Sequence, residues 1–244
     1  MHSVVIGGTR GLGREVVRLF VADGNTVSVI GRRAPDPADA AQSGCRFWAA
    51  DVADENALGQ VLAEIVAANG PVDHVVLLQR FKGTDDPWTG EWVTSLGASK
   101  RVIETLTPHF SPNGGAVVLV GSVISQFVAD GQPVGYHTAK AAMAHMARYY
   151  AVNLGPRGIR VNSVSPCTVV KAENRAFYAG DSALTDLFAR TIPLGRMGTA
   201  AESASVIHFL CSAGASFVTG QEILVDGGVS LVSQEALARK LAGL

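Results

Sequence analysis

Apolar residues fall into two kinds of segment that alternate along the chain. Short runs rich in valine and isoleucine occur at 4–6, 26–30, 46–49, 74–78, 116–120, 159–164 and 222–225. Between them, the segments 12–22, 55–68, 92–106, 137–154 and 201–211 repeat apolar residues at the helical period. The short runs lack strict polar alternation, which suits strands buried on both faces. Such a strand–helix series needs a right-handed crossover at each step and lays helices over both faces of one sheet. The pattern therefore predicts an α/β fold: a doubly wound, seven-stranded parallel sheet with helices on both faces, as a single domain over 1–244. The one loose stretch, 32–44, holds Pro35 and Pro37 and reads as a loop too short to divide domains.

Composition narrows the function classes. The 244 residues carry 20 Lys+Arg against 21 Asp+Glu, a formal charge of −1, so the footprint of a general nucleic-acid binder is missing. No apolar run reaches the ~18 residues that span a bilayer, so no membrane partner is expected. Met1-His2-Ser3 leads straight into the first apolar run without a basic region or a cleavage site. Cys45, Cys167 and Cys211 are isolated and odd in number. They form neither a disulfide framework nor a cysteine-rich zinc site, and a cytoplasmic location is expected. No metal site is expected: His137 and His145 are eight residues apart and share no ligand spacing with other histidines or cysteines.

Chemistry first shows at the end of the first strand, in Ile6-Gly7-Gly8-Thr9-Arg10-Gly11-Leu12-Gly13. Gly7, Gly11 and Gly13 permit a tight turn, a close approach to a pyrophosphate and packing of the next helix on the sheet. That helix offers its free N–H groups and positive dipole end to phosphate. After the second strand, where an NAD-binding chain usually carries an acid, this one reads Ile30-Gly31-Arg32-Arg33. Arg10 adds a third cation, and the planar guanidinium suits a 2′-phosphate, so NADPH/NADP+ is the expected cofactor. Asp51-Val52 ends the third strand. Asp51 is placed to accept from an adenine amino group or to cap the helix starting near Asp54.

A second constellation is Tyr136-His137-Thr138-Ala139-Lys140. Four residues make about one helical turn, so phenol and ammonium share a face. A nearby ammonium stabilises a phenolate and equips the tyrosine to exchange a proton with a carbonyl oxygen. Ser122 lies fourteen residues upstream, at the end of the 116–120 strand, where open α/β sheets place their ligands.

Taken with Arg160-Val161-Asn162-Ser163-Val164-Ser165-Pro166 and Gly220-Gln221…Val225-Asp226-Gly227-Gly228, these residues resemble the short-chain dehydrogenases/reductases over essentially the whole chain. The resemblance implies a Rossmann sheet, a nicotinamide cofactor and a homodimer or homotetramer. It implies Tyr136 as acid/base, Lys140 as ligand of the nicotinamide ribose and tuner of Tyr136, and Ser122 as orienter of substrate. Cofactor contacts then comprise Gly7, Thr9, Arg10, Gly11, Leu12, Gly13, Arg32, Arg33, Asp51, Val52, Leu78, Tyr136, Lys140, Pro166 and Val169. Arg10 matches the arginine of NADPH-dependent β-ketoacyl reductases. The segment 171–197, with Phe177, Tyr178, Leu184, Leu187 and Phe188, corresponds to the substrate lid, and 229–244 is an extension in which Ser233 can cap a short helix. That helix is expected to seek a neighbouring subunit, because two isolated turns are marginal.

Four positions depart from the family pattern. Leu77-Leu78-Gln79-Arg80 replaces Asn-Asn-Ala-Gly, Ser95 replaces the relay asparagine, Cys167 replaces the glycine after Pro166, and Lys171 replaces a cofactor-contacting threonine. Cys167 reads as a small packing residue. Tyr149 and Tyr150 read as packing at a helix or subunit interface; Trp88 and Trp92 either line a pocket mouth or pack at a helix start. The expected function is NADPH-dependent reduction of a ketone of a small or medium-sized, partly apolar substrate. The alternatives are a non-catalytic NADP-binding sensor or scaffold, and non-redox chemistry such as epimerisation or dehydration at the same tyrosine.

Overall fold

A computed structural model describes residues 1–34 and 44–244. Seven parallel strands form one sheet in the order β3-β2-β1-β4-β5-β6-β9. They are β1 (His2–Ile6), β2 (Thr26–Gly31), β3 (Cys45–Ala49), β4 (His74–Leu77), β5 (Gly115–Val120), β6 (Ile159–Pro166) and β9 (Glu222–Val225). The predicted doubly wound sheet is thus observed, and each predicted strand falls within a residue or two of its place. Most of the predicted loop 32–44 lies outside the described residues.

The strand periodicity sorts the core into two layers. Val4, Ile6, Val75, Leu77, Val117 and Leu119 face one side. There they meet Leu58, Leu62 and Ile65 of α2 (Glu55–Asn69), Val102, Ile103 and Leu106 of α4 (Ala98–Leu106), and Met143 and Ala147 of α5 (Val134–Leu154). Val5, Val27, Val29, Val76, Val118 and Val120 face the other side, against Val16, Val17 and Phe20 of α1 (Gly11–Ala22) and Ala204, Ile207 and Leu210 of α8 (Ala200–Cys211). Both faces of the inner strands β1, β2, β4, β5 and β6 are buried, which is why they read as continuous apolar runs, while the outer strands β3 and β9 are only partly covered. Each such side chain contributes about 1.5–3 kcal/mol on burial.

Helix starts follow local capping chemistry. The Asp54 carboxylate accepts the N–H groups of Asn56 and Ala57, both at 3.0 Å, and opens α2. Asp51 is therefore not the cap; its carboxylate takes the Ala53 N–H at 3.0 Å and shapes the turn before it. The predicted helix 92–106 is broken: α3 (Pro87–Glu91) and a π-turn (Trp92–Gly97) precede α4. An i,i+5 turn leaves no trace in apolar periodicity, and it re-aims the side chains around Ser95. The predicted helix 137–154 begins earlier, at Val134 behind Pro133.

The segment 171–197 leaves the sheet as α6 (Arg175–Gly180) and α7 (Ser182–Thr191). Its base is pinched by β7 (Val169–Val170) pairing β8 (Gly198–Thr199). Ser233 caps α9 (Gln234–Ala242), accepting the Ala236 N–H at 3.2 Å. This helix finds its partner within its own chain: Arg190 of α7 donates to the Lys240 and Leu241 carbonyls at 2.8 and 2.9 Å.

Beneath the N-terminal ends of the strands lies a neutral polar layer. Ser3 Oγ sits 3.0 Å from His74 Nδ1, and Asn25 donates to Ser3 at 3.3 Å. His2 Nε2 sits 3.0 Å from Ser28 Oγ, which also accepts from Asn69 at 2.8 Å. The Phe20 ring stacks on His74 with centroids 5.4 Å apart. Burial drives the His74 pKa down to about 4, against the pull of Asp73. The folded state therefore binds fewer protons than the unfolded chain between about pH 4 and 6.5, so stability is complete above 6.5 and is lost as pH falls towards 4. Urea unfolding should show a loss of roughly 3 kcal/mol between pH 7 and 4 from this group. His74→Asn should flatten that dependence; an unchanged slope would exclude His74 as its source.

Candidate active site

The glycine loop between β1 and α1 is built for close approach. Gly7 and Gly11 take φ of +82° and +51°, open to glycine at little cost. A Cβ on Gly13 would lie 2.2 Å from the Gly7 carbonyl oxygen, so helix and turn meet only if residue 13 is glycine. Leu12 is half-buried against the α1/α8 core layer, and Thr9 reaches over the end of β2 to meet Gly31. The Gly11 N–H already holds an anion: it donates to Glu173 Oε1 at 2.9 Å. Burial would raise the Glu173 pKa, but backbone N–H donors including that of Gly11, with Arg14 and Lys171, outweigh it and hold the carboxyl below its usual range. A carboxylate seated on a glycine turn at the start of a helix shows that the donor set fits a phosphate oxygen.

The cations flank this loop. Arg10 and Arg33 are exposed. Arg32 stands 3.9 Å from Asp51, an exposed and weak pair. The acid missing from the sequence after β2 is thus supplied in space from the end of β3. Val52 packs against the core.

At the far ends of β4, β5 and β6 lies the second constellation. Ser122 is buried directly after β5, and its Oγ accepts the Ile124 N–H at 3.4 Å. The loop it starts is tied to β9: Ser125 and Ser165 donate to Glu222 Oε1, and Gln126 donates to Oε2 at 2.9 Å. Tyr136 stands half-buried in the first turn of α5. His137 fixes the approach to that turn, accepting the Ala129 N–H on Nε2 at 3.0 Å with Nδ1 3.0 Å from the Pro133 carbonyl. It is a structural residue, and no metal-holding group of His, Cys, Asp or Glu occurs among the described residues.

Lys140 is buried below Tyr136, its Nζ 5.6 Å from the ring centroid. It donates to the Val120 carbonyl at 2.8 Å. Burial pushes its pKa down to about 8; Glu91 pulls it back up, and Arg80 pushes it down. Glu91 is itself buried, at 3 % exposure, and accepts a short hydrogen bond from the Ser95 hydroxyl across the π-turn. Gly135 makes this approach possible: a Cβ there would lie 2.6 Å from the Pro87 carbonyl, so α3 rests on α5 beside Tyr136. The sequence reading missed Glu91, although its spacing of four residues before Ser95 was visible.

The substituted positions also have structural accounts. Leu77 is buried within β4, Leu78 packs on the α1/α8 layer, and both restore apolar packing. Gln79 donates to Ser99 at 2.8 Å, and Ser99 donates to the Ser95 carbonyl at 2.6 Å, so a side-chain chain replaces the asparagine bonds. The Gln79 backbone closely approaches Gly7. Pro166 ends β6 in register with Val225, and Cys167 donates its N–H to Val225 at 3.2 Å without a positive φ. Burial, then Asp226, pushes the Cys167 thiol up, away from thiolate chemistry. Val169 is buried in β7, and the Lys171 stem lies over Gly11. Tyr150 is buried with its hydroxyl donating to Glu104 at 3.2 Å, while Tyr149, Trp88 and Trp92 remain exposed.

A glycine turn opening a helix, a tyrosine over a buried lysine and a buried serine gather at the carboxyl ends of the parallel strands, where open α/β sheets bind their ligands. The family described as enoyl-(acyl carrier protein) reductase matches residues 7–230. The chain belongs to this family and, with it, to the short-chain dehydrogenases/reductases; it is an oxidoreductase of that type. It is 31 % identical to the 3-oxoacyl-(acyl-carrier-protein) reductase FabG of Salmonella typhimurium, over 94 % of this chain and 97 % of that one. It is 31 % identical to carbonyl reductase family member 4 of Danio rerio, over 94 % and 98 %. The solved short-chain dehydrogenase/reductase of Serratia marcescens shares its fold at a TM-score of 0.81 and 26 % identity, over 94 % and 97 %. No helix among the described residues is long and apolar enough to cross a membrane.

Glu91→Gln removes the charge but keeps an acceptor for Ser95. In lysine-labelled NMR titrations the variant should move Lys140 below about 8 by at least about half a unit. An unmoved titration in a variant of unchanged melting temperature would exclude Glu91 as the counter-charge.

Proposed function

We propose that this protein is an NADPH-dependent reductase of ketones, acting on a small or medium-sized, partly apolar substrate. The observation that carries the reading is the buried Lys140 ammonium beneath Tyr136, at the sheet edge where Ser122 emerges. Burying a charge is costly, and an apolar side chain would pack there more cheaply. A charge kept beside a phenol is explained by proton transfer. Relatives named as reductases of 3-oxoacyl and carbonyl compounds support the substrate class.

Ser122 donates a hydrogen bond to the carbonyl oxygen and orients it. Tyr136 gives that oxygen its phenolic proton, and Lys140 stabilises the phenolate that remains. When bound, NADPH supplies the hydride. Gly7, Gly11, Leu12 and Gly13 would hold its pyrophosphate, with Thr9 beside it. Leu78, Asp51 and Val52 would line the adenosine side, and Pro166 and Val169 the nicotinamide side. Arg10, Arg32 and Arg33 would hold the 2′-phosphate. Lys140 would also bind the nicotinamide ribose. The segment 171–197 serves as the substrate lid of a single catalytic domain. The same proposal includes a cytoplasmic homodimer or homotetramer, supported by the exposed Tyr149 and Val152 on α5 and Phe209 on α8.

Tyr136→Phe should lower kcat at least about a hundredfold. NADPH affinity, read by calorimetry, should stay within about threefold of the parent. A fully active variant would remove Tyr136 from the chemistry. Replacing Arg10 and Arg32 together by alanine should narrow the NADPH-over-NADH preference by about tenfold or more. An unchanged ratio of the two dissociation constants would sink the arginine assignment.

A further inference from the structure

We infer that Arg80, with Lys82 beside it, forms an anion subsite next to Tyr136, so that the carbonyl substrate carries a carboxylate. This rests on the reductase reading and deepens it. The Arg80 guanidinium carbon lies 5.2 Å from the Tyr136 ring centroid, over the ring whose hydroxyl would meet the carbonyl. Arg80 stands at the carboxyl end of β4, where β1 and β4 diverge and open sheets bind ligands. It has no ion-pair partner among the described residues, whereas Arg101 pairs with Glu55 and Arg196 with Glu202. Asp86 is close in sequence, but its carboxylate is spent on the N–H groups of Trp88 and Thr89, both at 3.1 Å.

The segment bearing these cations is anchored. The Phe81 ring folds onto Gly83 and Gly90, where a Cβ at either position would lie 2.4 Å from it. Those two glycines let the aromatic wedge seat between Arg80 and Lys82. Desolvation, then Arg80, Lys171 and Arg10, lowers the Lys82 pKa, and Glu173 alone pulls it up. Cationic charge therefore runs from the glycine loop to Tyr136. Glu173 and Glu91, like Asp86, are already engaged, Glu173 with Gly11 and Glu91 with Ser95. A guanidinium fork held over a phenol without its own carboxylate suits a two-oxygen anion on the substrate.

The test compares acids with their neutral esters. 2-Oxobutanoate, acetoacetate and 4-oxopentanoate, and the methyl ester of each, are titrated calorimetrically into the protein with and without NADP+. At least one acid should bind about tenfold or more tighter than its ester. Arg80→Met should erase that ratio while moving ester affinity less than about threefold, and Arg80→Lys should restore part of it. Equal binding of acid and ester, no binding of any acid, or a ratio that survives Arg80→Met in a variant of unchanged melting temperature would overturn the subsite. Failure of NADP+ itself to bind would strike the reductase reading instead, because the acid–ester ratio is also read on the free protein.

Discussion

A buried ammonium must be given hydrogen bonds and opposite charge, and the sheet edge around Lys140 is organised by that requirement. The Val120 carbonyl, left free where β5 ends, accepts one of its protons. Met143, one turn on, offers only a thioether sulfur at 3.7 Å. The opposite charge is Glu91, delivered by a short helix that reaches α5 because residue 135 is glycine. The π-turn after Glu91 then brings the Ser95 hydroxyl back to that carboxylate. Strand end, glycine contact and irregular helix thus meet at one charge.

The two ends of the sheet solve opposite problems. At the N-terminal end, His2, Ser3, Ser28 and His74 pair among themselves as neutral groups, which is a stability device. At the C-terminal end, Arg80 and Lys82 have no ion-pair partner among the described residues, and the Gly11 N–H donates to the Glu173 carboxylate. Charge that a fold does not neutralise for itself is available to a ligand. The contrast between the ends locates function more sharply than either constellation alone.

Two of the departures from the family pattern, Gln79 and Ser95, are linked through Ser99. Ser95, Ser99 and Gln79 link into one chain of hydrogen bonds beneath β4, covering the region the missing asparagines would serve. Glu91 adds charge where an asparagine would add only a dipole. Lys171 and Glu173 place an ion of each sign over the glycine loop.

How much of this was legible in the chain depends on the range over which each signal acts. The strands and the helices between them followed from short, unbroken apolar runs alternating with segments of period 3.6, which are local and repeated, so 4–6 and 116–120 were placed well, while the order of the strands in the sheet came only from the structure. The glycine loop and Tyr136 with Lys140 were legible because backbone geometry alone fixes residues within one turn of each other. The π-turn was not, since one extra residue per turn shifts faces without altering composition. Asp54 rather than Asp51 is the cap because α2 starts at Glu55, directly after it. The partners Glu91–Lys140, Glu173–Gly11, Arg32–Asp51 and Arg80–Tyr136 are separated by 19 to 162 positions. Their side chains meet only after the sheet has closed its crossovers, and no local pattern records which distant charges a fold will bring together. The sequence by itself determined the scaffold and the residue types at the ends of its strands; the tertiary structure decided which charges face one another, because those contacts form only between residues far apart in the chain.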